Sequence, residues 1–505
     1  MPKRPGTLPL ALPPRPADAA IGTWLGDAIR GEILAGRLRP GTRLPATREL
    51  AAQYGVARGT VVTVFEQLRA EGYLVGTVGS GTHVRDVLPE ALLNAGRARR
   101  RPTTAPPRPA ARTLSRLAQR LQPFTGYDTR PIRAFRANQP ALDLFPTTLW
   151  AQAATRVLRR STARHLLGCE TFGYLPLREQ VVDYLQASRG VRCEVAQVAV
   201  VSGAQEALDL VVRLTVNEGD RVVLEDPGYS GTRRVLQAAG ARIVPGRVDH
   251  EGLVAGDRTW RDARFVYTTP AHQMPLGITM TLPRRIALLR WAAEHGAIVF
   301  EDDYDAEYRY AGRPVPAMQG LDTQGVVAFC GSFSKVLFPS LRLGYLVVPP
   351  DLVEPLEALK SVASRHATLL DQVTLAAFMD AGHFGRHVRR MREVYAARCG
   401  ALIAGAKAHL DGLLEVPPID AGLQTVGWLL NGMTDAEATR AAAAVDVDVS
   451  PLSRFWQGPA PRQGLQLGFA AVDEVELDRG IRALASAIGG RRRFRYGSRR
   501  RTSHS

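Results

Sequence analysis

The chain has only four lysines, Lys3, Lys335, Lys360 and Lys407, and the rest of its 65 basic residues are arginine. Chemistry that needs an amine therefore has few candidates. Lys335 stands out because it follows an apolar run in Gly331-Ser332-Phe333-Ser334-Lys335, with no carboxylate beside it in the chain. A second cluster, Glu301-Asp302-Asp303-Tyr304-Asp305, also follows an apolar run, and an acid placed there can pair with a cationic ring nitrogen or help hold a divalent cation. Ser202-Gly203-Ala204-Gln205 joins a β-branched run to a helical segment. Such a turn suits a phosphate at a helix N-terminus, although similar turns also serve only to reverse the chain. Tyr229, in Asp226-Pro227-Gly228-Tyr229, can stack on a flat ring or pack as a loop aromatic. Together these are the parts a pyridoxal phosphate needs: a Schiff-base amine, an acid for the pyridine nitrogen, backbone donors for the phosphate and a stacking ring.

Elements must hold these residues at one place. At 505 residues and 45% hydrophobic the chain is long enough for two or more folded units. No run approaches the ~20 apolar residues of a bilayer helix, and Met1-Pro2-Lys3-Arg4-Pro5 leads into prolines rather than a signal core, so a cytoplasmic protein without a membrane partner is expected. The four cysteines have no CxxC spacing, so reduced thiols and no metal cage are expected. From about Ala134 onward, short runs alternate with helical segments: Val198 to Val201, Val222 to Leu224, Phe265 to Tyr267, Ile298 to Phe300, Val326 to Phe329 and Tyr345 to Val348. This alternation predicts an α/β domain with a mostly parallel, doubly wound sheet. Lys335, Asp302 and the 202–205 turn fall at strand carboxyl ends, where such sheets collect ligands.

The formal charge of +17 points to a polyanionic partner, although part of it lies in the arginine-rich stretch 490–505, read as a disordered tail. The N-terminal segment is more specific. Leu25, Ile29 and Ile33 mark one helix, Thr47 caps a second, and Val61, Val64, Phe65 and Leu68 form the stripe of a third. Two short strands follow around Gly79-Ser80-Gly81. Three helices and a hairpin predict an α+β winged helix-turn-helix over 20–86, with the third helix in the DNA major groove. Arg58, Thr60 and Thr63 lie between its core positions, Arg48 opens the second helix, and Gly79 and Gly81 thin the wing. A protein-contact module with a basic face remains the alternative. An Arg-, Pro- and Ala-rich linker is expected over 87–131, and the α/β domain over 132–489.

Residues 33–45, with Thr47-Arg48-Glu49-Leu50-Ala51 and Gly79-Ser80-Gly81-Thr82, resemble the GntR family of bacterial transcription regulators. The resemblance implies operator contacts from Arg48, Arg58, Thr60 and the wing glycines, and dimers on paired half-sites. Residues 135–488 resemble the fold-type I, class I aminotransferases, most specifically through Ser332-Phe333-Ser334-Lys335 followed by Leu341-Arg342-Leu343-Gly344-Tyr345. That resemblance implies Lys335 as Schiff-base lysine, Asp302 as pyridinium partner, Tyr304 as donor to the ring oxygen and Tyr229 as stacking ring. It gives the phosphate to Ser202, Gly203, Ala204, Ser332 and Arg342, and sends Tyr174 to the neighbouring subunit's phosphate in a homodimer. Two positions depart from the pattern. Thr269-Pro270-Ala271-His272-Gln273-Met274-Pro275-Leu276-Gly277 replaces the usual Asn-Pro-x-Gly turn, leaving that asparagine's ring contact to His272 or Gln273. Gln466 stands where transaminases keep the arginine for the substrate carboxylate. The two halves together resemble the MocR subfamily. This implies a dimeric transcription regulator that senses an amine effector, or pyridoxal phosphate itself, through its large domain. A working aminotransferase with a fused DNA-binding module is the alternative.

Overall fold

The structure, a computed structural model, describes residues 10–16, 18–77, 81–86, 112–121, 130–310 and 315–489. The chain divides into two compact units, Met1–Arg112 and Thr113–Ser505.

In the first unit, α1 (Ile21–Leu34), α2 (Thr47–Tyr54) and α3 (Arg58–Ala70) precede the antiparallel strands β1 (Leu74–Thr77) and β2 (Gly81–Val84). The apolar stripe of α3 drives the packing: Val61, Val64, Phe65 and Leu68 are buried against Leu25, Ile29, Ile33 and Leu50. Gly55 ends α2 in the left-handed region at φ 64°, a conformation that costs a glycine little. Thr47 is not the cap of α2 but its first residue. Ala46 occupies the cap, and its N–H donates to the Glu49 carboxylate at 3.1 Å, which satisfies a group the helix leaves open. Residues 10–16 carry no regular structure, yet they are pinned to the unit: Leu10 is buried and its carbonyl accepts from Gln53 Nε2 at 2.6 Å. The wing is braced by Arg69, which donates to the Thr82 hydroxyl at 2.6 Å. Gly79 lies outside the described residues.

The second unit is built on an eight-stranded sheet in the order β3-β10-β9-β8-β7-β4-β5-β6. Its strands are β3 (Val198–Val201), β4 (Arg221–Asp226), β5 (Arg242–Asp249), β6 (Gly252–Leu253), β7 (Ala263–Thr268), β8 (Ile298–Asp303), β9 (Val327–Ser332) and β10 (Gly344–Val347). β4, β5, β7, β8 and β9 run parallel, whereas β10 is antiparallel to both of its neighbours. The strands read as unbroken apolar runs because both faces are covered. Along β3, Val198 and Val200 pack on one face with Leu177, Val181 and Leu185 of the helix Leu175–Arg189. Ala199 and Val201 pack on the other with Ala207, Leu208 and Val211 of the helix Ala204–Thr215.

Two features were not legible as strands. β5 contains Pro245 and Gly246, which its place near the sheet edge tolerates. A second sheet of β11 (Leu414–Glu415), β12 (Gln424–Leu429), β13 (Ser450–Pro451) and β14 (Gly464–Gly468), in the order β11-β12-β14-β13, packs under the helices His383–His409 and Glu474–Gly489. Part of the expected linker is ordered on this unit. Ser115 caps a short helix, Arg116–Arg120, whose Arg120 pairs with Glu218, while residues 87–111, 122–129 and 490–505 lie outside the described residues.

Candidate functional site

The carboxyl ends of the large sheet surround a cavity of about 450 Å³. β9 delivers Ser332, whose hydroxyl accepts from the Ser334 N–H at 3.2 Å and starts the single turn Phe333–Val336 that carries Lys335. Lys335 Nζ donates to the Asn138 carbonyl at 2.7 Å. Burial lowers the Lys335 ammonium to about 8, and the Asp305 and Asp302 carboxylates oppose that shift only in part. The amine is thus closer to its nucleophilic free-base form than an exposed lysine at neutral pH.

Asp302 ends β8 in the same cavity, with its Oδ2 accepting from the Tyr267 hydroxyl at 2.6 Å. Its other oxygen, Oδ1, is buried and has no hydrogen-bond partner. Burial, reinforced by Asp303, Asp305 and Glu225, pushes the Asp302 carboxyl up to about 7. An unpartnered buried carboxylate oxygen is costly unless a donor or cation meets it, and a pyridinium N–H is such a group. The neighbouring acids are already engaged elsewhere. Asp303 receives Arg189 at 2.7 and 3.1 Å, and Asp305 lies 3.0 Å from His272 Nδ1. Accordingly, among the described residues no group of three or more His, Cys, Asp or Glu is gathered to hold a metal ion.

Gly203 and Ala204, at the start of the helix Ala204–Thr215, line the cavity with Gln205, Ser230, Ser332, Ser334 and Arg342. A helix N-terminus, hydroxyls and a guanidinium together suit a phosphate dianion. Ser202 is the exception among the predicted contacts: it does not line the cavity, and its N–H is taken by the Glu206 carboxylate. Glu206 is itself held by Lys360 at 3.1 Å and Ser364 at 2.6 Å. Lys360 is fully buried.

Tyr229 and Tyr304 both line the cavity, and burial pushes the Tyr229 phenol up to about 12. His272 does not line it. The histidine sits behind Tyr304, with Nδ1 3.1 Å from the Tyr304 hydroxyl and within 3.1 Å of both Asp305 oxygens. Gln273 is equally committed, donating to Glu225 at 3.1 Å and to the Pro227 carbonyl at 2.8 Å. The cavity wall at this turn is Met274, so a thioether stands where an amide or imidazole contact was expected. Tyr174 lines a separate cavity of about 400 Å³ with His165, Cys169 and Leu369, not the one that holds Lys335.

The opposite wall holds Gln466 of β14, Ser450 of β13, Val449 and Phe455, with Arg130, Arg136, Asp448 and Arg454 around them. Except for Gln466, sequence reasoning missed this wall. Asp448 lies in the alternating stretch Val445-Asp446-Val447-Asp448-Val449, where Asp446 gives the same signal without lining the cavity. The Asn138 contact comes from a backbone carbonyl and leaves no trace in residue type.

In the first unit, Arg48 and Arg58 are exposed at the starts of α2 and α3. Thr63 is exposed, and its hydroxyl donates to the Gly59 carbonyl at 3.1 Å. Thr60 is half-buried instead of facing outward: a Cβ on Gly22 of α1 would meet its methyl at 3.6 Å. Gly81 holds φ 99°, with the Arg43 guanidinium 3.1 Å from where a Cβ would stand, which adds Arg43 to the basic residues around the wing.

A winged helix joined to a fold-type I aminotransferase domain with a lysine, an acid and an anion cradle in one cavity defines a two-part class: DNA-binding module plus cofactor-type ligand domain. Residues 24–84 match the family of bacterial regulatory proteins called gntR, and residues 132–484 match aminotransferase class I and II. The chain is 41% identical to the probable rhizopine catabolism regulatory protein MocR of Rhizobium meliloti, across 94% of this chain and 95% of that one. It is 31% identical to the pyridoxine biosynthesis transcriptional regulator PdxR of Corynebacterium glutamicum, across 95% and 98%. Among solved structures, α-aminoadipate aminotransferase LysN of Thermus thermophilus, complexed with N-(5'-phosphopyridoxyl)-L-leucine, superposes with a TM-score of 0.68 at 29% identity, covering 75% of this chain and 97% of that one. The chain belongs to the MocR-like family of GntR-type transcription regulators with an aminotransferase class I and II domain.

Proposed function

We propose that this regulator binds pyridoxal phosphate at Lys335 and uses it to sense a primary amine, or pyridoxal phosphate itself, thereby changing its affinity for operator DNA. The observation that carries the reading is the buried, unpartnered Asp302 Oδ1 in the same cavity as a lysine whose ammonium is lowered to about 8. Ala204 and Gln205 at the helix start, with Ser332, Ser334 and Arg342, would hold the phosphate. Asp302 would face the ring nitrogen, Tyr304 the ring oxygen and Tyr229 the ring face. Bound there, the cofactor would supply a carbonyl electrophilic toward primary amines. Lys335 would supply the amine that holds the cofactor, and Asp302 would keep the ring nitrogen protonated.

Arg48, Arg58 and Thr63 are the residues we assign to DNA contact, joined by Arg43 at the wing. A homodimer is supported by the apolar surface at Leu158, Leu166, Leu167 and Leu175, where Leu166 is 75% and Leu167 is 88% exposed. Tyr174 lies in the same stretch, beside the second cavity, and is our candidate for contact with the partner's phosphate.

The test is the visible absorption spectrum of wild type and Lys335→Ala after pyridoxal phosphate is added and dialysed away, with operator binding measured in parallel. A retained band in wild type alone is the expected result. A band in neither protein would leave the large unit without a cofactor role. Keto-acid release from amino acids, measured on the same samples, separates a regulator from a working transaminase.

A further inference from the structure

At the centre of the wall facing Lys335 stand two uncharged polar side chains, Gln466 and Ser450. Gln466 is 2% exposed, and its Nε2 donates to the Met274 sulfur at 3.6 Å, a weak partner for an amide. β13 pairs with β14 so that Ser450 stands directly opposite Gln466, which puts a hydroxyl beside an amide at the cavity surface. Met274 and Phe455 supply the apolar remainder.

Asp448 is held between two guanidiniums beside this wall, with Arg130 3.7 Å from one carboxylate oxygen and Arg136 2.6 Å from the other. Arg136 is largely buried and gives Nε and one terminal nitrogen to the Asp448 carboxylate at 2.9 and 2.6 Å, with its other terminal nitrogen on the Arg130 carbonyl at 3.0 Å. A carboxylate arriving at the centre of this wall would meet an amide and a hydroxyl, with the neighbouring Arg130 and Arg136 guanidiniums already facing Asp448. An amide cannot replace the paired charge-assisted bonds by which a guanidinium holds a carboxylate. Hydroxyl groups both donate and accept, and they match Gln466 and Ser450 without a desolvated charge. Arg454 is a further cation of the wall, exposed with its guanidinium 5.4 Å from the Phe455 ring, and the Arg130 side chain is 61% exposed, so water screens both.

We propose that the ligand read in this cavity is a small primary amine whose other polar groups are neutral hydroxyls, with no carboxylate on the amine-bearing carbon. Gln466 is the residue that sets this preference. The inference rests on the cofactor reading above, and the experiment keeps the two apart. Full-length protein loaded with pyridoxal phosphate is titrated with 2-amino-1-propanol and with L-alanine, which differ only in a hydroxymethyl against a carboxylate. The readouts are the visible band and the anisotropy of labelled operator DNA.

Wild type is expected to respond to the amino alcohol at concentrations at least tenfold lower than to L-alanine. Gln466→Arg, checked for retained band and thermal midpoint, is expected to reverse that order, and Gln466→Glu to widen the original gap. Equal or tighter binding of L-alanine by a wild type that shows its band would overturn the ligand class alone, and loss of that binding in Arg454→Ala would locate the carboxylate receptor at the rim. A wild type without a band would overturn the cofactor reading and this inference with it.

Discussion

Asp302 joins a buried position to an unsatisfied oxygen, and this has a consequence for stability. Burial holds the carboxyls of Glu301, Asp302 and Glu307 up at about 7 each. In the unfolded chain such groups titrate near pH 4, so between about pH 4 and pH 7 the folded state binds more protons. Stability must therefore fall as pH rises through that window and level off above it. Asp302→Asn keeps an acceptor for the Tyr267 hydroxyl while removing one of the three titrations. The ligand-free thermal midpoint of that variant is expected to fall less between pH 5 and pH 7 than that of wild type, with scanning calorimetry as the check. Identical slopes would mean that Asp302 does not titrate in that range. Side-chain type and strand-end position made Lys335 and Asp302 legible in the sequence, because both properties are local. His272 and Ser202 were not legible in the same way. Whether an imidazole faces a cavity or stands behind a tyrosine depends on Asp305, 33 residues away, and whether an N–H is free depends on Glu206 and the buried Lys360.

At the scale of elements, the anion cradle depends on how closely three backbones meet. Gly344 opens β10, pairs with Ser332 of β9 and Val201 of β3, and sits under the 203 turn. A Cβ there would lie 2.7 Å from the Gly331 carbonyl oxygen and 3.2 Å from Gly203 Cα, both backbone atoms that cannot step aside. Gly344→Ala should therefore cost about 1–3 kcal/mol, the usual range for overpacking, and should release pyridoxal phosphate faster on dialysis. Gly400 is the control. It lies exposed within the helix His383–His409, with nothing within 4 Å of its would-be Cβ, so Gly400→Ala should stabilise by about 0.5–1 kcal/mol. Denaturant unfolding of both variants tests the pair, and a destabilised Gly400→Ala would refute the packing argument. The same scale explains what pattern reading could find. β3, β8 and β9 are buried on both faces and read as apolar runs. β12 and β14 are interrupted by Gln424, Gly427 and Gln466, and their sheet draws its core chiefly from two helices, so no strand periodicity marked them.

For the whole molecule, the question is whether the ligand cavity and the DNA-binding helices belong to one equilibrium. No helix among the described residues is long and apolar enough to cross a membrane. The chain's formal charge of +17 favours attraction to any DNA and by itself says nothing about regulation. Regulation requires that an amine ligand bind two states of the protein with different affinity, and that operator DNA do the same. The two effects are then reciprocal. If saturating amine changes operator affinity by some factor, saturating operator must change amine affinity by that same factor, typically about 5–150-fold for coupled sites. Both sides are measurable on one cofactor-loaded preparation, amine binding from the visible band and operator binding from anisotropy. Salt separates this coupling from bulk charge: attraction through the arginine-rich end of the chain weakens steeply between about 50 and 200 mM salt, whereas the ratio of operator affinities with and without amine should persist. Arg58→Ala is expected to weaken operator binding by about 1–3 kcal/mol while leaving amine binding in the absence of DNA unchanged. Unequal factors in the two directions would show that the band and the anisotropy report different species. Factors of one in both directions would mean that the large unit binds its amine without informing the helices that hold the DNA.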